Sequence, residues 1–226
     1  MSATVSQFAD PSTDPPVRGF LHLPDSPTGD GLVLTHGAGS DSRAKLIVAV
    51  AEAFSDSGLT VLRCDLPFRQ NRPTGPPFPA MAARDREGLR RAVEVMRRKV
   101  PGRVFLGGHS YGGRQATMLA AEVPELVAGL LLLSYPLHPP RKPAELRTAH
   151  FPKLRTPALF VQGSRDPFGL PAEIELALKL IPGRHSLTLM ESAGHDLLGR
   201  KSGVPESIVQ AFNVFFAERT DDQTAS

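Results

Sequence analysis

Apolar positions along the chain follow two alternating rhythms. Short, mostly apolar runs recur at residues 17–23, 32–35, 60–64, 104–107, 127–134, 158–162 and 186–190. Such runs, rich in Val, Leu and Phe and bounded by Gly, Pro or Asp, are the pattern of strands buried on both faces of a parallel sheet. Longer stretches with helical spacing separate them. Leu46, Ile47, Val50, Ala51 and Phe54 form one stripe, with Asp41 or Ser42 as the expected N-cap and Gly58 as the stop. Leu89, Ala92, Val93, Met96 and Val100 form a second stripe within 83–100. Residues 114–122 and 171–181 read as two more helices, the latter with Pro171 in its first turn. Residues 204–218 close the series, with Ile208, Val209, Phe212, Phe215 and Phe216 facing inward. This alternation predicts an α/β fold, a mostly parallel central sheet with helices on both faces. Run 17–23 ends at Pro24 and reads as an edge strand. Residues 1–16 read as a flexible N-terminal arm, 17–219 as a single domain and 220–226 as a C-terminal tail.

Composition narrows the class. With 226 residues, 41% of them hydrophobic, the chain has material for one full core. A net charge of +3 is too slight to signal nucleic acid. Most of the arginines around residue 90 (Arg84, Arg86, Arg90, Arg91, Arg97 and Arg98, with Lys99) crowd one helix. They interleave with Asp85, Glu87 and Glu94, the pattern of a solvated face; a surface for an acidic partner is the second reading. The single cysteine, Cys64, excludes an intrachain disulfide and reads as a small buried hydrophobe. Neither a signal peptide nor a membrane-spanning run is legible, so a cytoplasmic protein is expected.

The chemistry centres on Gly108-His109-Ser110-Tyr111-Gly112, a G-x-S-x-G pattern between an apolar strand and a helix. A serine on such a sharp turn is held in strained backbone geometry with its hydroxyl pushed out, and small residues two before and two after let strand and helix nearly touch. Ser110 is therefore the candidate nucleophile. A hydroxyl needs a base, and the base needs an acceptor on its other ring nitrogen. Asp166 follows the strand at 158–162, and His195 follows the last strand. Working residues of open α/β sheets lie just beyond the carboxyl ends of strands, and the order Ser, Asp, His fits a triad. Asp65 and Asp196 are the rival acids. His36-Gly37-Ala38-Gly39 follows an early strand, and its glycines let an N–H, that of Ala38, face the nucleophile. The Tyr111 N–H, at the helix start, is the second expected oxyanion donor. His36 and Gly39 are candidates to line the substrate site, and His36 also reads as a brace for the oxyanion loop. His109 is expected to pack beneath the elbow. No metal or organic cofactor is required.

From Leu32 to about Phe216 these segments resemble the α/β-hydrolase superfamily, with the small, capless dienelactone-hydrolase-like enzymes as the nearest architecture. Those enzymes carry cysteine at the elbow, where Ser110 stands here. The segments Leu34-Thr35-His36-Gly37-Ala38, Val104-Phe105-Leu106-Gly107-Gly108 and Ser134-Tyr135-Pro136-Leu137-His138 are similar to a branch named for a testis-expressed protein and a histone-acetyltransferase-complex subunit. The last segment puts Tyr135 and His138 among the candidate substrate residues. The resemblance implies hydrolysis of a carboxylic ester or related acyl bond of a small substrate; thioester and peptide bonds share the scheme. A non-catalytic binding protein that keeps the fold is the other class, and the completeness of the triad argues against it. The connection 135–157 is too short for a cap domain. Loop 65–80, with Pro67, Pro73, Pro76, Pro77 and Pro79, reads as a fixed rim; Phe68, Phe78, Tyr135 and Leu137 are candidates to line it, with packing into the core the equal alternative for each. A shallow apolar cleft of this kind is expected to prefer short acyl chains.

Overall fold

The computed structural model describes residues 4–198 and 203–217. An eight-stranded sheet runs through it. Its strands are β1 (Thr4–Asp10), β2 (Val17–Leu23), β3 (Gly31–Thr35), β4 (Thr60–Cys64), β5 (Val104–His109), β6 (Gly129–Leu133), β7 (Ala158–Gly163) and β8 (His185–Met190). Their order is β1-β2-β4-β3-β5-β6-β7-β8. Pairs β1–β2 and β2–β4 are antiparallel, and every pair from β4 to β8 is parallel. The helices are α1 (Lys45–Asp56), α2 (Pro67–Asn71), α3 (Ala82–Arg97), α4 (Tyr111–Glu122), α5 (Pro171–Leu178) and α6 (Val204–Ala217).

The continuous apolar runs of the central strands follow from burial on both faces. In β6, Leu130 and Leu132 join the core under α3, α4 and α5, while Leu131 and Leu133 join the core under α1 and α6. Successive side chains of a strand point to opposite faces, so each strand feeds both cores. On the α6 side Phe105 packs between Phe212 and Phe216, with ring centroids 4.8 Å apart in both pairs. Between β6 and β7 the chain forms only a 3₁₀ turn, Phe151–Lys153, so no cap covers the carboxyl ends of the strands.

Several sequence expectations need correction. Residues 4–10, expected within a flexible arm, pair with β2 along their whole length. Their faces are mostly exposed, so an apolar run is missing; the unsatisfied edge of β2 supplies the partner. The edge strand is therefore β1, not β2. Neither Asp41 nor Ser42 caps α1, which begins at Lys45 without a side-chain cap. Asp41 Oδ1 instead accepts the Arg43 N–H at 2.7 Å, and the Ser42 N–H donates to Asp65 Oδ1 at 2.7 Å. Loop 65–80 contains a helical turn, α2, with Pro67 near its start. Helix α4 begins directly at Tyr111, and α3 and α5 end about one turn before their expected limits. The tail at 220–226 lies outside the described residues.

The arginines of α3 find partners within the chain. Arg84 pairs with Asp14 at 2.6 Å, Arg86 with Glu122 at 3.1 Å, Arg91 with Glu87 at 2.8 Å and Arg98 with Asp10 at 3.1 Å. Arg97 donates to Leu126 O at 2.6 Å. Such exposed pairs contribute little each, but together they tie α3 to β1 and α4.

Candidate active site

Strand β5 stops at His109 and helix α4 starts at Tyr111, leaving Ser110 alone to make the turn. Its φ of 52° and ψ of −115° lie in a region costly for a residue with a side chain. Two backbone bonds lock it there: the Ser110 N–H donates to Leu133 O on β6, and its carbonyl accepts the Arg114 N–H, both at 2.9 Å. The glycines flanking it are sterically required. A Cβ on Gly108 would come within 2.7 Å of the Gly112 backbone, and one on Gly112 within 2.5 Å of His36 O. Strand, helix and the loop after β3 meet at this point.

Ser110, His195 and Asp166 form a continuous chain of hydrogen bonds. Ser110 Oγ lies 2.8 Å from His195 Nε2, and His195 Nδ1 lies 2.8 Å from Asp166 Oδ2. Because a carboxylate only accepts, Nδ1 carries the proton and Nε2 is left to accept the serine hydroxyl. Asp166 is fully buried and accepts three hydrogen bonds. Besides His195, Oδ2 accepts a Gln162 Nε2–H at 2.9 Å, and Oδ1 accepts the Phe168 N–H at 2.9 Å. Gln162 also donates to Gly169 O at 3.1 Å, holding the acid loop closed. Phe168 lays its ring along that of His195, with centroids 4.2 Å apart and planes 30° from parallel. His109 braces the His195 main chain, donating from Nε2 to His195 O at 2.8 Å. Burial holds the His109 ring at a pKa of about 4, so it stays neutral.

Gln162 and Phe168 were not read from the sequence. A signal existed for Gln162: it is the one polar side chain in the run Ala158-Leu159-Phe160-Val161-Gln162, four residues before the acid. The rival acids are engaged elsewhere or exposed. Asp65 Oδ1 binds Ser42 and lies 3.8 Å from His36, and Asp196 is exposed. Cys64 is buried, and burial pushes its thiol up to about 12.

On the other side of Ser110 the loop after β3 is fixed by His36. This ring is fully buried, and burial holds it below its ordinary pKa. Its Nε2 accepts the Leu66 N–H at 3.1 Å, so Nδ1 carries the proton and donates to Gly37 O at 2.8 Å. The Gly37–Ala38 peptide is planar and trans, so with its C=O drawn toward His36 its N–H points the opposite way. A Cβ on Gly37 would stand 3.5 Å from Ser110 Cβ, which shows how closely the loop passes the nucleophile. His36 thus braces the loop and offers no surface to a substrate. Gly39 is exposed at the tip. Tyr111, first in α4, has an N–H with no partner inside the helix. Its O–H donates to Asp85 Oδ2 at 2.8 Å, and the Phe68 N–H donates to Asp85 Oδ1 at 2.9 Å. Burial raises the Asp85 carboxyl above the usual range.

The expected rim residues divide. Phe68, expected on the rim, is buried at 3% exposure, stacked edge-on against Tyr111 and tilted against His36 with centroids 5.7 Å apart in both pairs. Phe78 is 61% exposed beneath the Arg72 guanidinium. Tyr135, Leu137 and His138 are buried as well, behind the loop that carries Asp166. Tyr135 packs on Phe151 and Phe160 and donates its O–H to Arg147 O at 2.7 Å. The His138 N–H donates to Phe168 O at 3.1 Å. They support the loop that carries Asp166 rather than facing the cleft. Among the described residues, no three His, Cys, Asp or Glu side chains gather as a metal site, and no helix is long and apolar enough to cross a membrane.

Solved structures with the same fold are numerous. A dienelactone hydrolase from Anabaena variabilis superimposes with a TM-score of 0.73 at 22% identity, covering 96% of this chain and 98% of its own. XC6422 from Xanthomonas campestris, described as an α/β serine hydrolase without a lid, gives 0.68 at 18% identity over 95% of both chains. Est1E from Butyrivibrio proteoclasticus gives 0.72 at 17% identity, covering 96% of this chain and all of its own, 100%. These likenesses establish the fold. The sequence model of the alpha/beta hydrolase domain family matches residues 29–211, spanning β3 to α6 and every residue of the Ser110 site, and the chain belongs to that family.

Proposed function

We propose that the protein is a serine hydrolase that cleaves a carboxylic ester or related acyl bond of a small substrate. The observation that carries this reading is the Ser110–His195–Asp166 chain, with both links at 2.8 Å and Ser110 in a strained turn. Ser110 Oγ attacks the acyl carbon as its proton passes to His195 Nε2. Asp166 stabilises the imidazolium without taking the proton. The oxyanion rests on the N–H groups of Ala38 and Tyr111. His195 then protonates the leaving group, and water attacks the acyl-enzyme by the same route. An ester is the favoured bond, and thioesters and peptides fit the same steps.

The open ends of the strands support a small substrate. Each methylene contributes about 0.8 kcal/mol only where it is buried, and a cleft without a cap buries few of them. Short acyl chains should therefore be preferred, with no activation at a lipid interface. The test has two parts. A fluorophosphonate probe should label the wild type and not Ser110→Ala; absence of labelling would favour the non-catalytic binding protein. Hydrolysis of 4-nitrophenyl esters from acetate to palmitate should then show kcat/KM falling with length. A steady rise toward long chains, or a jump once aggregates form, would refute the shallow cleft.

A further inference from the structure

Arg69, in α2, is 7% exposed, yet every hydrogen bond of its guanidinium goes to a main-chain carbonyl. Nε donates to Ser40 O at 2.8 Å, Nη2 to Ala38 O at 2.8 Å and to Gly75 O at 3.1 Å, and Nη1 to Arg72 O at 3.0 Å. Among the described residues no carboxylate pairs with it. Buried cations are ordinarily matched by an acid. Here loop dipoles take that place, and they come from two loops. Ala38 and Ser40 belong to the loop beside the nucleophile, while Arg72 and Gly75 belong to the rim. The first loop has little else to hold its tip. Gly39 is exposed, a Cβ there would meet nothing within 4 Å, and the internal turn bonds from the Ser40 N–H and Oγ–H to Gly37 O are long, at 3.3 and 3.4 Å.

We infer that Arg69 is a positioning residue for the oxyanion hole. Its planar fork fixes the Ala38–Ser40 turn against the rim, so the Ala38 N–H stays aimed at the oxygen of the acyl group that Ser110 attacks. His36 sets the peptide on one side of Ala38, and Arg69 sets the one on the other side. The guanidinium also places a positive charge, unpaired with any carboxylate among the described residues, on the loop that carries the Ala38 N–H. The function of this arrangement rests on the hydrolase reading above; the ordering of the turn does not. An ester is neutral and the tetrahedral intermediate is anionic, so both effects act on kcat rather than on KM. Lysine would keep the charge but replace the fork with a point donor.

Wild type, Arg69→Met and Arg69→Lys should be compared in three measurements. These are kcat and KM for 4-nitrophenyl acetate, affinity for a trifluoromethyl ketone that adds to Ser110 and carries the oxyanion, and amide hydrogen exchange over residues 36–41. Losing one oxyanion donor outright costs about 10²–10³-fold, so Arg69→Met is expected to lose about 10- to 100-fold in kcat. KM should move by less than about threefold, ketone affinity should fall by the same factor as kcat, and Arg69→Lys should recover part of both. Amides at 38–40 should exchange faster in Arg69→Met, while those of β5 and β6 keep their protection. A loss confined to KM, or a fall in kcat with ketone affinity unchanged, would overturn the inference. Unchanged kcat with wild-type exchange would do so as well. If wild type neither turns over nor binds the ketone, the hydrolase reading has failed, and exchange alone decides whether Arg69 orders the turn. If Arg69→Met does not fold, the kcat and ketone affinity of Arg69→Lys decide the matter.

Discussion

On one side of Ser110, the loops after β7 and β8 bring together a run of side chains bonded to side chains, Ser110 to His195, His195 to Asp166 and Asp166 to Gln162, with main-chain bonds to Phe168, Gly169 and His195 bracing it. On the other side, the loops after β3 and β4 are held by side chains that grip the backbone. His36 takes Gly37 O, Arg69 takes Ala38 O and Ser40 O, and Asp85 takes the Phe68 N–H. The contrast follows from what each half must deliver. A proton is passed between titratable groups, and only side chains supply these. An oxyanion is met by backbone N–H groups, and a peptide N–H is aimed by anchoring the peptides around it. On the hydrolase reading proposed above, the first half is built from residues that touch the reaction, and the second from residues one step behind it.

This contrast predicts a graded set of losses. Ser110→Ala or His195→Ala breaks the proton half at its centre, and kcat should fall by about 10⁴–10⁶-fold with the thermal midpoint nearly unchanged. Steady-state kinetics beside a calorimetric melt checks this; substantial residual turnover in either variant would mean another base or nucleophile. Asp166→Asn should cost up to about 10⁴-fold, because the amide favours the wrong histidine tautomer. Asp65→Asn, which lies in the other half and binds Ser42, should cost about tenfold or less. The reverse ranking of these two asparagine variants would transfer the acid role to Asp65.

Tyr111→Phe is a milder break, now in the backbone-gripping half. It leaves Asp85 Oδ2 buried without its O–H donor, at a cost of about 1–3 kcal/mol of stability. The urea midpoint measures that cost. Turnover should fall by less than in any triad variant, since the Tyr111 N–H itself remains. A loss of kcat as large as that of Asp166→Asn would show that the phenol takes part in the reaction.

The smallest effect concerns pH. Burial holds His22, His109 and His150 at about 4, against 6.5 in an unfolded chain. Between pH 6.5 and about 4 the unfolded chain therefore binds protons that the folded chain refuses. Their contribution to stability is complete above the upper value, declines across the window as pH falls, and levels off below it. Urea midpoints taken from pH 7 downward should show the decline, and His150→Gln should flatten part of it. An identical slope in that variant would remove His150 from the set.

Read alone, the sequence determined the α/β class, the strand and helix order from β2 onward apart from the short α2, and the three residues joined in the Ser110–His195–Asp166 hydrogen-bond chain. The reason is that each is written locally. Burial on both faces of a strand demands an unbroken apolar run, and a strand-end Ser, Asp or His stands out against it. The elbow was legible in the same way, because Gly108 and Gly112 record the close approach of strand and helix. Tertiary structure alone decided the rest. Strand β1 exists because β2 offers an edge, although its own exposed faces carry no apolar run. Tyr135 and His138 are core residues because the loop after β7 folds over them, a fact set by contacts far along the chain. Gln162, Arg69 and Asp85 act through hydrogen bonds that reach groups up to 31 residues away. Nothing in local periodicity records such a bond, because its energy depends on where two distant segments meet.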